Sequence, residues 1–170
     1  EAKRQLYGIV GIDSLAGPSE IMIVSDRQDI PVDYLVRDML SQAEHDPDAG
    51  AFLVTTSEKQ AKKVAERIKK LVPGLPRKEI IEASFSNRSA IIMAKDLEEI
   101  FEIINEFAPE HLEILTKKPF DDLYKIRNAG AIFLGPNTPE PVGDYFAGPN
   151  HTLPTSACAK FSSPLGVQDF

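Results

Sequence analysis

Short, fully apolar runs that alternate with longer amphipathic segments constrain the fold of this chain more than any other feature. Continuous apolar runs are typical of strands that are buried on both faces of a parallel sheet. Their alternation with helices predicts an α/β fold, with a largely parallel sheet flanked by helices in a three-layer sandwich. The predicted strands are residues 21–24, 51–55, 90–94, 111–116 and 131–134.

Amphipathic segments between these runs predict the helices. Residues 32–43 carry apolar side chains at the three-then-four spacing of one helix face. Two further helices begin with capping-box spacing, in which a capping side chain is followed three residues later by Glu or Gln. These pairs are Ser57 with Gln60 and Asp96 with Glu99. Shorter helices are predicted at about 76–85 and 119–127.

We expect a single domain with three parts. Residues 1–20 form an N-terminal loop, 21–136 form the α/β domain, and 137–170 form a Pro/Gly-rich tail without assigned regular structure. The tail carries a Gly-Asp-Tyr segment at 143–145. Because the first residue is Glu1 rather than Met, we also expect the chain to be part of a longer protein.

Composition excludes several function classes. The formal net charge of −7 argues against a nucleic-acid partner, which would require clustered positive charge. No apolar run approaches the roughly 20 residues that span a bilayer, so we expect no membrane partner. Cys158 is the only cysteine, which excludes an internal disulfide and fits a reducing, cytoplasmic compartment.

Polar residues of three distant segments are predicted to meet at one edge of the sheet. A helix that follows a parallel strand returns to the edge where that strand began. Gln42 and His45, side by side at the end of the 32–43 helix, therefore lie at this edge. Glu110 and His111, which precede a strand, lie there too, and so does Ser19.

Asp144 follows the last strand and would leave the sheet from the opposite edge. Two solutions bring it back, an antiparallel last strand or a return through about ten loop residues. The sequence does not choose between them. The usual nucleotide crevice also lies at the opposite edge, and the chain lacks both G-x-G-x-x-G and a Walker loop. We therefore assign no cofactor-binding residue for a dinucleotide to this chain.

The polar groups at this edge have the chemistry of a catalytic metal site. Imidazole, carboxylate and amide oxygen form a mixed set that suits zinc, and Gln42, His45 and Asp144 would supply three ligands. Glu110 beside His111 is suited to acid–base work. Each residue alone is ordinary, since a polar shoulder on a core helix or a solvated turn needs no function. Together they favour a functional site.

Five stretches of the chain resemble one known family, the histidinol dehydrogenases. Their order and spacing cover nearly the whole chain. They are AGPSE at 16–20, MLSQAEHDP at 39–47, APEHLEI at 108–114, NAGAIFLG at 128–135 and GDYFAGPNHTLPT at 143–155.

The resemblance implies an aldehyde-dehydrogenase-like, incomplete Rossmann-like fold. It also implies an enzyme of histidine biosynthesis that oxidises histidinol to histidine in two NAD-dependent steps, through an aldehyde. Such enzymes are zinc-dependent, cytoplasmic homodimers.

The resemblance also implies roles for individual residues. Gln42, His45 and Asp144 would bind zinc and contact the substrate. Glu110 would be the general base that activates water, and His111 would be its acid–base neighbour and a substrate contact. Ser19 would also contact the substrate, whereas we give His151 only a supporting role.

The chain resembles only part of the family's length. The preceding part of family members carries the NAD contacts, and their C-terminal part supplies a zinc-binding histidine and a glutamate to the partner's site. We therefore expect no dehydrogenase activity from this chain alone. The alternative is a non-catalytic α/β domain, derived from that family, that binds a metal or a partner.

Overall fold

The computed structural model describes residues 2–170, in which the five predicted strands form one parallel sheet. The strands are β1 (Glu20–Ser25), β2 (Gly50–Thr55), β3 (Ala90–Met93), β4 (His111–Ile114) and β5 (Ala131–Leu134). Their order across the sheet is β3-β2-β1-β4-β5. The predicted α/β class and parallel sheet are confirmed.

Seven helices of the described residues connect and flank these strands. They are α1 (Ala2–Leu6), α2 (Val32–Ala43), α3 (Glu58–Leu71), α4 (Lys78–Asn87), α5 (Leu97–Phe107), α6 (Pro119–Asp122) and α7 (Glu140–Tyr145). Short 3₁₀ turns follow α3 and α6. Within residues 2–170, no helix has both the length and the hydropathy to cross a membrane.

The two faces of the sheet are covered by different helices, which explains the apolar runs. Successive side chains of a strand point to opposite faces. Ile21 and Ile23 pack with α2, α3 and α4 on one face, while Met22 and Val24 pack with α5 on the other. The three layers are therefore helices, sheet and helix, as the sequence predicts.

The strands start in register, so that one rim of the sheet collects the residues that precede them. Glu20 of β1 is paired with Gly50 of β2, and Ile21 is paired with His111. His111 is in turn paired with Ala131 of β5. This amino rim, defined by the first residues of β1, β2, β4 and β5, is the predicted meeting place of the polar groups.

The predicted capping boxes are only half formed. The Ser57 side chain accepts a hydrogen bond from the Gln60 backbone N–H, and Asp96 accepts one from that of Glu99. In a complete capping box, the Gln60 and Glu99 side chains would accept from the backbone N–H of Ser57 and Asp96. Instead, Gln60 Nε2 donates to the carbonyl of Arg27, and Glu99 accepts from the N–H of Lys95. Both helix starts are confirmed, whereas these second bonds of the capping boxes do not form.

The tail differs most from its prediction. β5 is parallel to β4, so the antiparallel alternative is wrong. The chain returns through α7, a helix where we expected no regular structure. Pro141 and Gly143 are poor helix formers, which explains why the pattern did not reveal it. At the other end of the chain, α1 lies in a segment predicted as loop.

Candidate functional site

His111 is the first residue of β4, and its imidazole is buried at the amino rim. Its Nδ1 atom lies 3.1 Å from the carbonyl oxygen of Glu20. Because a carbonyl oxygen can only accept a hydrogen bond, Nδ1 carries the proton of the neutral ring. The other nitrogen, Nε2, has a free electron pair and no hydrogen-bond partner among residues 2–170. His111 is therefore arranged to take up a proton at Nε2.

Glu110 lies beside His111 and is only 5% exposed. Its Oε2 accepts a hydrogen bond of 2.9 Å from the backbone N–H of Glu20, and lies 3.6 Å from His111 Nδ1. The backbone of Glu20 thus holds both side chains, one through its amide and the other through its carbonyl. A carboxylate fixed in this way is suited to act as a general base.

Gly130 allows β5 to approach the backbone of Glu110. The Gly130 N–H donates to the carbonyl of Pro109, and the Ala131 N–H donates to the carbonyl of Glu110. A methyl group on Gly130 would lie 2.5 Å from the Glu110 carbonyl oxygen. Only glycine fits at this position without moving the candidate base.

We expect Gly130→Ala to lower the free energy of unfolding by about 1–3 kcal/mol, because the Glu110 backbone must shift to relieve the clash. Urea denaturation of the 170-residue chain measures this change. Gly74→Ala is the control, since a methyl group there meets no atom within 4 Å. Equal urea midpoints for the two variants would show that β5 does not hold Glu110 in place.

Helix α7 brings two carboxyl groups to the same rim. Glu140 and Asp144 are four residues apart and share one face of the helix. A ligand atom of each and one of His111 lie within 4.8 Å of one another, and Glu140 Oε1 is 3.9 Å from His111 Nε2. Burial, together with the charge of Asp144, raises the pKa of Glu140 to about 8. Glu140 is therefore harder to ionise than an exposed carboxyl group.

The sequence did not identify Glu140, nor the two carboxyl groups behind it, Glu113 and Asp38. Glu113 accepts a 2.9 Å hydrogen bond from the Glu140 backbone N–H. Burial, together with the neighbouring charge of Asp38, raises the pKa of Glu113 well above its usual range, and burial raises the pKa of Asp38 to about 6. The available signal for Glu113 was a charged residue between the apolar Leu112 and Ile114 of β4.

Gln42 is fully buried on α2, yet its side-chain amide is unsatisfied. Neither Oε1 nor Nε2 has a hydrogen-bond partner in the described part of the chain. A buried amide without hydrogen-bond partners lowers the stability of the folded chain. An external group that binds Oε1, such as a metal ion, would satisfy it. The donor chemistry of Gln42 therefore fits the zinc that the resemblance implies.

We expect Gln42→Leu to raise the free energy of unfolding of the chain by about 1–3 kcal/mol, because it removes an unpaired buried amide of similar volume. Gln60→Leu is the matched control. Gln60 is also buried, but its amide bonds Thr55 and the carbonyl of Arg27, so the same change should destabilise the chain. Thermal unfolding measures both changes, and destabilisation of Gln42→Leu would contradict the account.

The remaining predicted site residues occupy different surroundings. His45 lies in the turn after α2 rather than within the helix, is exposed, and is not a member of the His111–Glu140–Asp144 group. Ser19 is half-buried directly before β1, where its carbonyl accepts the Gly50 N–H. His151 is exposed on the tail. The structure thus brings His111 and Asp144 together, with Glu110 adjacent to His111.

A cavity of about 390 Å³ opens beside this cluster. His111 and Asp144 belong to its polar lining, and residues of the tail contribute to the same cavity. Its apolar lining includes Phe133, Val142, Leu153 and Leu165. The volume suits a small molecule that combines an apolar body with a few polar groups.

The fold and the cluster together define an α/β domain with a cluster of ionisable side chains at the amino ends of its parallel strands. The family model described as histidinol dehydrogenase matches residues 1–170. The chain therefore belongs to the histidinol dehydrogenase family, as the resemblance predicts.

Individual relatives agree with this assignment. Histidinol dehydrogenase of Heliobacterium mobile is 55% identical over 169 residues, which are 99% of this chain and 39% of that protein. The enzyme of Listeria monocytogenes serotype 4b is 53% identical over the same shares. The crystal structure of histidinol dehydrogenase from Elizabethkingia anophelis superposes with a TM-score of 0.93 at 34% identity, over 99% of this chain and 39% of that one. The chain thus spans about two fifths of the length of these relatives.

Proposed function

We propose that this chain is the acid–base part of a histidinol dehydrogenase, which oxidises L-histidinol to L-histidine through the aldehyde in the last steps of histidine biosynthesis. The observation that carries the proposal is His111 Nε2, a buried nitrogen with a free electron pair beside a cavity of suitable size. A histidinol molecule placed in the cavity would lie beside His111 and Asp144. Ser19, directly before β1, would also contact the substrate, as the resemblance implies.

The two oxidations need two different proton transfers. In the first, the alcohol loses a hydride from carbon and a proton from oxygen, and His111 Nε2 is placed to take that proton. In the second, a water molecule adds to the aldehyde carbonyl before a further hydride leaves. Glu110, fixed by the Glu20 amide, takes the proton of this water. One side chain serves each step.

Two absent groups complete the reaction. When bound, NAD accepts the hydrides, and zinc fixes the imidazole and amine of the substrate. Gln42, His45 and Asp144 would hold the zinc. His45 lies in an exposed turn, so its side chain would have to change conformation to bind the zinc. Gln42 already has a buried amide without a hydrogen-bond partner among residues 2–170.

The chain would act as part of a cytoplasmic homodimer in which NAD contacts, and further groups from the partner, come from sequence outside these 170 residues. The experiment that tests the proposal compares two proteins. The first is this chain alone, for which we expect no NADH formation from histidinol and NAD. The second is the full-length form, in which the chain is continued to the length of its relatives. It should form two NADH per histidinol when zinc is supplied, and its inactivity would favour a non-catalytic binding domain.

A further inference from the structure

Two hydrogen bonds join the loop before β1 to a distant segment of the tail. The backbone N–H of Gly17 donates to Thr155 Oγ1 over 2.8 Å, and the backbone N–H of Ser156 donates to Glu20 Oε1 over 3.1 Å. Glu20 is 1% exposed and Thr155 is 5% exposed, so both acceptor side chains are buried, although Ser156 itself is exposed. Burial raises the pKa of Glu20 to about 7, and its carboxyl oxygen can accept the Ser156 N–H in either protonation state, so the contact can fix the tail.

The fit between the two segments is tight. A methyl group on Gly17 would lie 2.5 Å from Ser156 Oγ and 2.8 Å from Thr155 Oγ1, so the loop has no room for a side chain. The tail, in turn, adopts an unfavourable backbone at the contact. Ser156 and Ala157 have φ angles of 53° and 63°, in the left-handed region that non-glycine residues avoid. Such a conformation persists only where the surroundings hold it.

The tail held in this way forms part of the lining of the cavity. His151, Leu153 and Leu165 line it together with His111, and the Leu165 N–H donates to the carbonyl of Thr152. Leu153 lies only two residues before Thr155. A tail released at Thr155 and Ser156 would therefore carry this part of the lining away from the acid–base pair.

We propose that the Glu20 side chain is a positioning residue, which fastens residues 152–157 to the loop before β1 and so holds this part of the cavity lining in place. This role is separate from that of the Glu20 backbone, which orients Glu110 and His111 and is unchanged when the side chain is replaced. Glu20 would thus act on substrate binding through the tail, without contacting the substrate.

The first test is amide hydrogen exchange of the 170-residue chain. In Glu20→Ala we expect the Ser156 and Leu165 amides to exchange about tenfold faster or more, while amides of β1 and β2 keep their protection. Glu20→Gln retains an acceptor oxygen and should restore most of the protection. Thr155→Val, which removes the other bond, should act in the same direction. Glu102→Ala, an exposed position on α5, is the control and should change nothing.

The second test uses the full-length form and rests on the proposed function. Glu20→Ala should raise KM for histidinol about tenfold with little change in kcat, and Glu20→Gln should recover KM. Unchanged exchange at the Ser156 amide in Glu20→Ala would contradict the proposal that Glu20 holds residues 152–157 in place. Faster exchange with an unchanged KM would contradict the proposal that this segment affects substrate binding. If the unmodified full-length form has no activity, the proposed function fails, and the exchange measurement still decides whether Glu20 holds the tail.

Discussion

In the full-length form, Glu110→Gln should slow oxidation of the aldehyde by about 10²–10⁴-fold while affecting oxidation of the alcohol much less. The neutral amide cannot take a proton from water, and only the second step needs that proton transfer. The amide oxygen can still accept from the Glu20 N–H, so the side chain should stay in place. A loss of activity in this variant would therefore reflect the lost proton transfer rather than a displaced side chain.

The measurement for Glu110→Gln is the yield of NADH per histidinol, together with single-turnover rates for the alcohol and the aldehyde. The yield should fall from two toward one as aldehyde accumulates. Glu106→Gln, on the exposed side of α5, is the matched control and should retain both rates. Equal losses in the two steps would assign Glu110 a structural role, and no loss would remove it from the site.

His111→Asn should slow the first oxidation by about 10²–10⁴-fold, because it removes the acceptor that we propose for the alcohol proton. The Asn amide nitrogen lies near the position of Nδ1, so it can still donate to the Glu20 carbonyl and keep β4 in register with β1. Asn has no atom at the position of Nε2. The substitution thus removes the proton acceptor while it retains the structural bond.

The readout for His111→Asn is the pH dependence of kcat/KM for histidinol. A limb that reports deprotonation of a general base should disappear in the variant, and NADH formation from added aldehyde should fall less than that from histidinol. A variant that keeps both the rate and the pH profile would show that another group takes the alcohol proton. Because we assign Glu110 and His111 to different steps, we expect the two variants to have opposite step preferences.

The strands of the sheet could be predicted because each one is marked by a short apolar run in the sequence itself. Runs such as 21–24 are apolar on both faces because α2 covers one face and α5 covers the other. Given parallel strands, the amino rim follows from geometry, which is how Glu110 and His111 could be placed there before the structure was known. The membership of the histidinol dehydrogenase family was likewise evident from motifs spread over the whole chain.

The parts that were missed depend on contacts between distant residues. Helix α7 contains Pro141 and Gly143, and its packing at the rim outweighs their low helix propensity. Glu140 therefore had no assigned structure from which its position beside His111 could be inferred. The bond between Glu20 and Ser156 joins residues 136 apart, and no local pattern marks either partner.

The most direct test of the account is a calorimetric zinc titration of the 170-residue chain, with Gln42→Leu, His45→Ala and Asp144→Asn measured alongside. The account predicts one zinc per chain, with affinity reduced about tenfold or more in each variant and unchanged in Asp121→Asn, an exposed control on α6. Binding that survives all three substitutions, or the absence of any specific binding, would contradict the claim that these residues form the metal site of the amino rim.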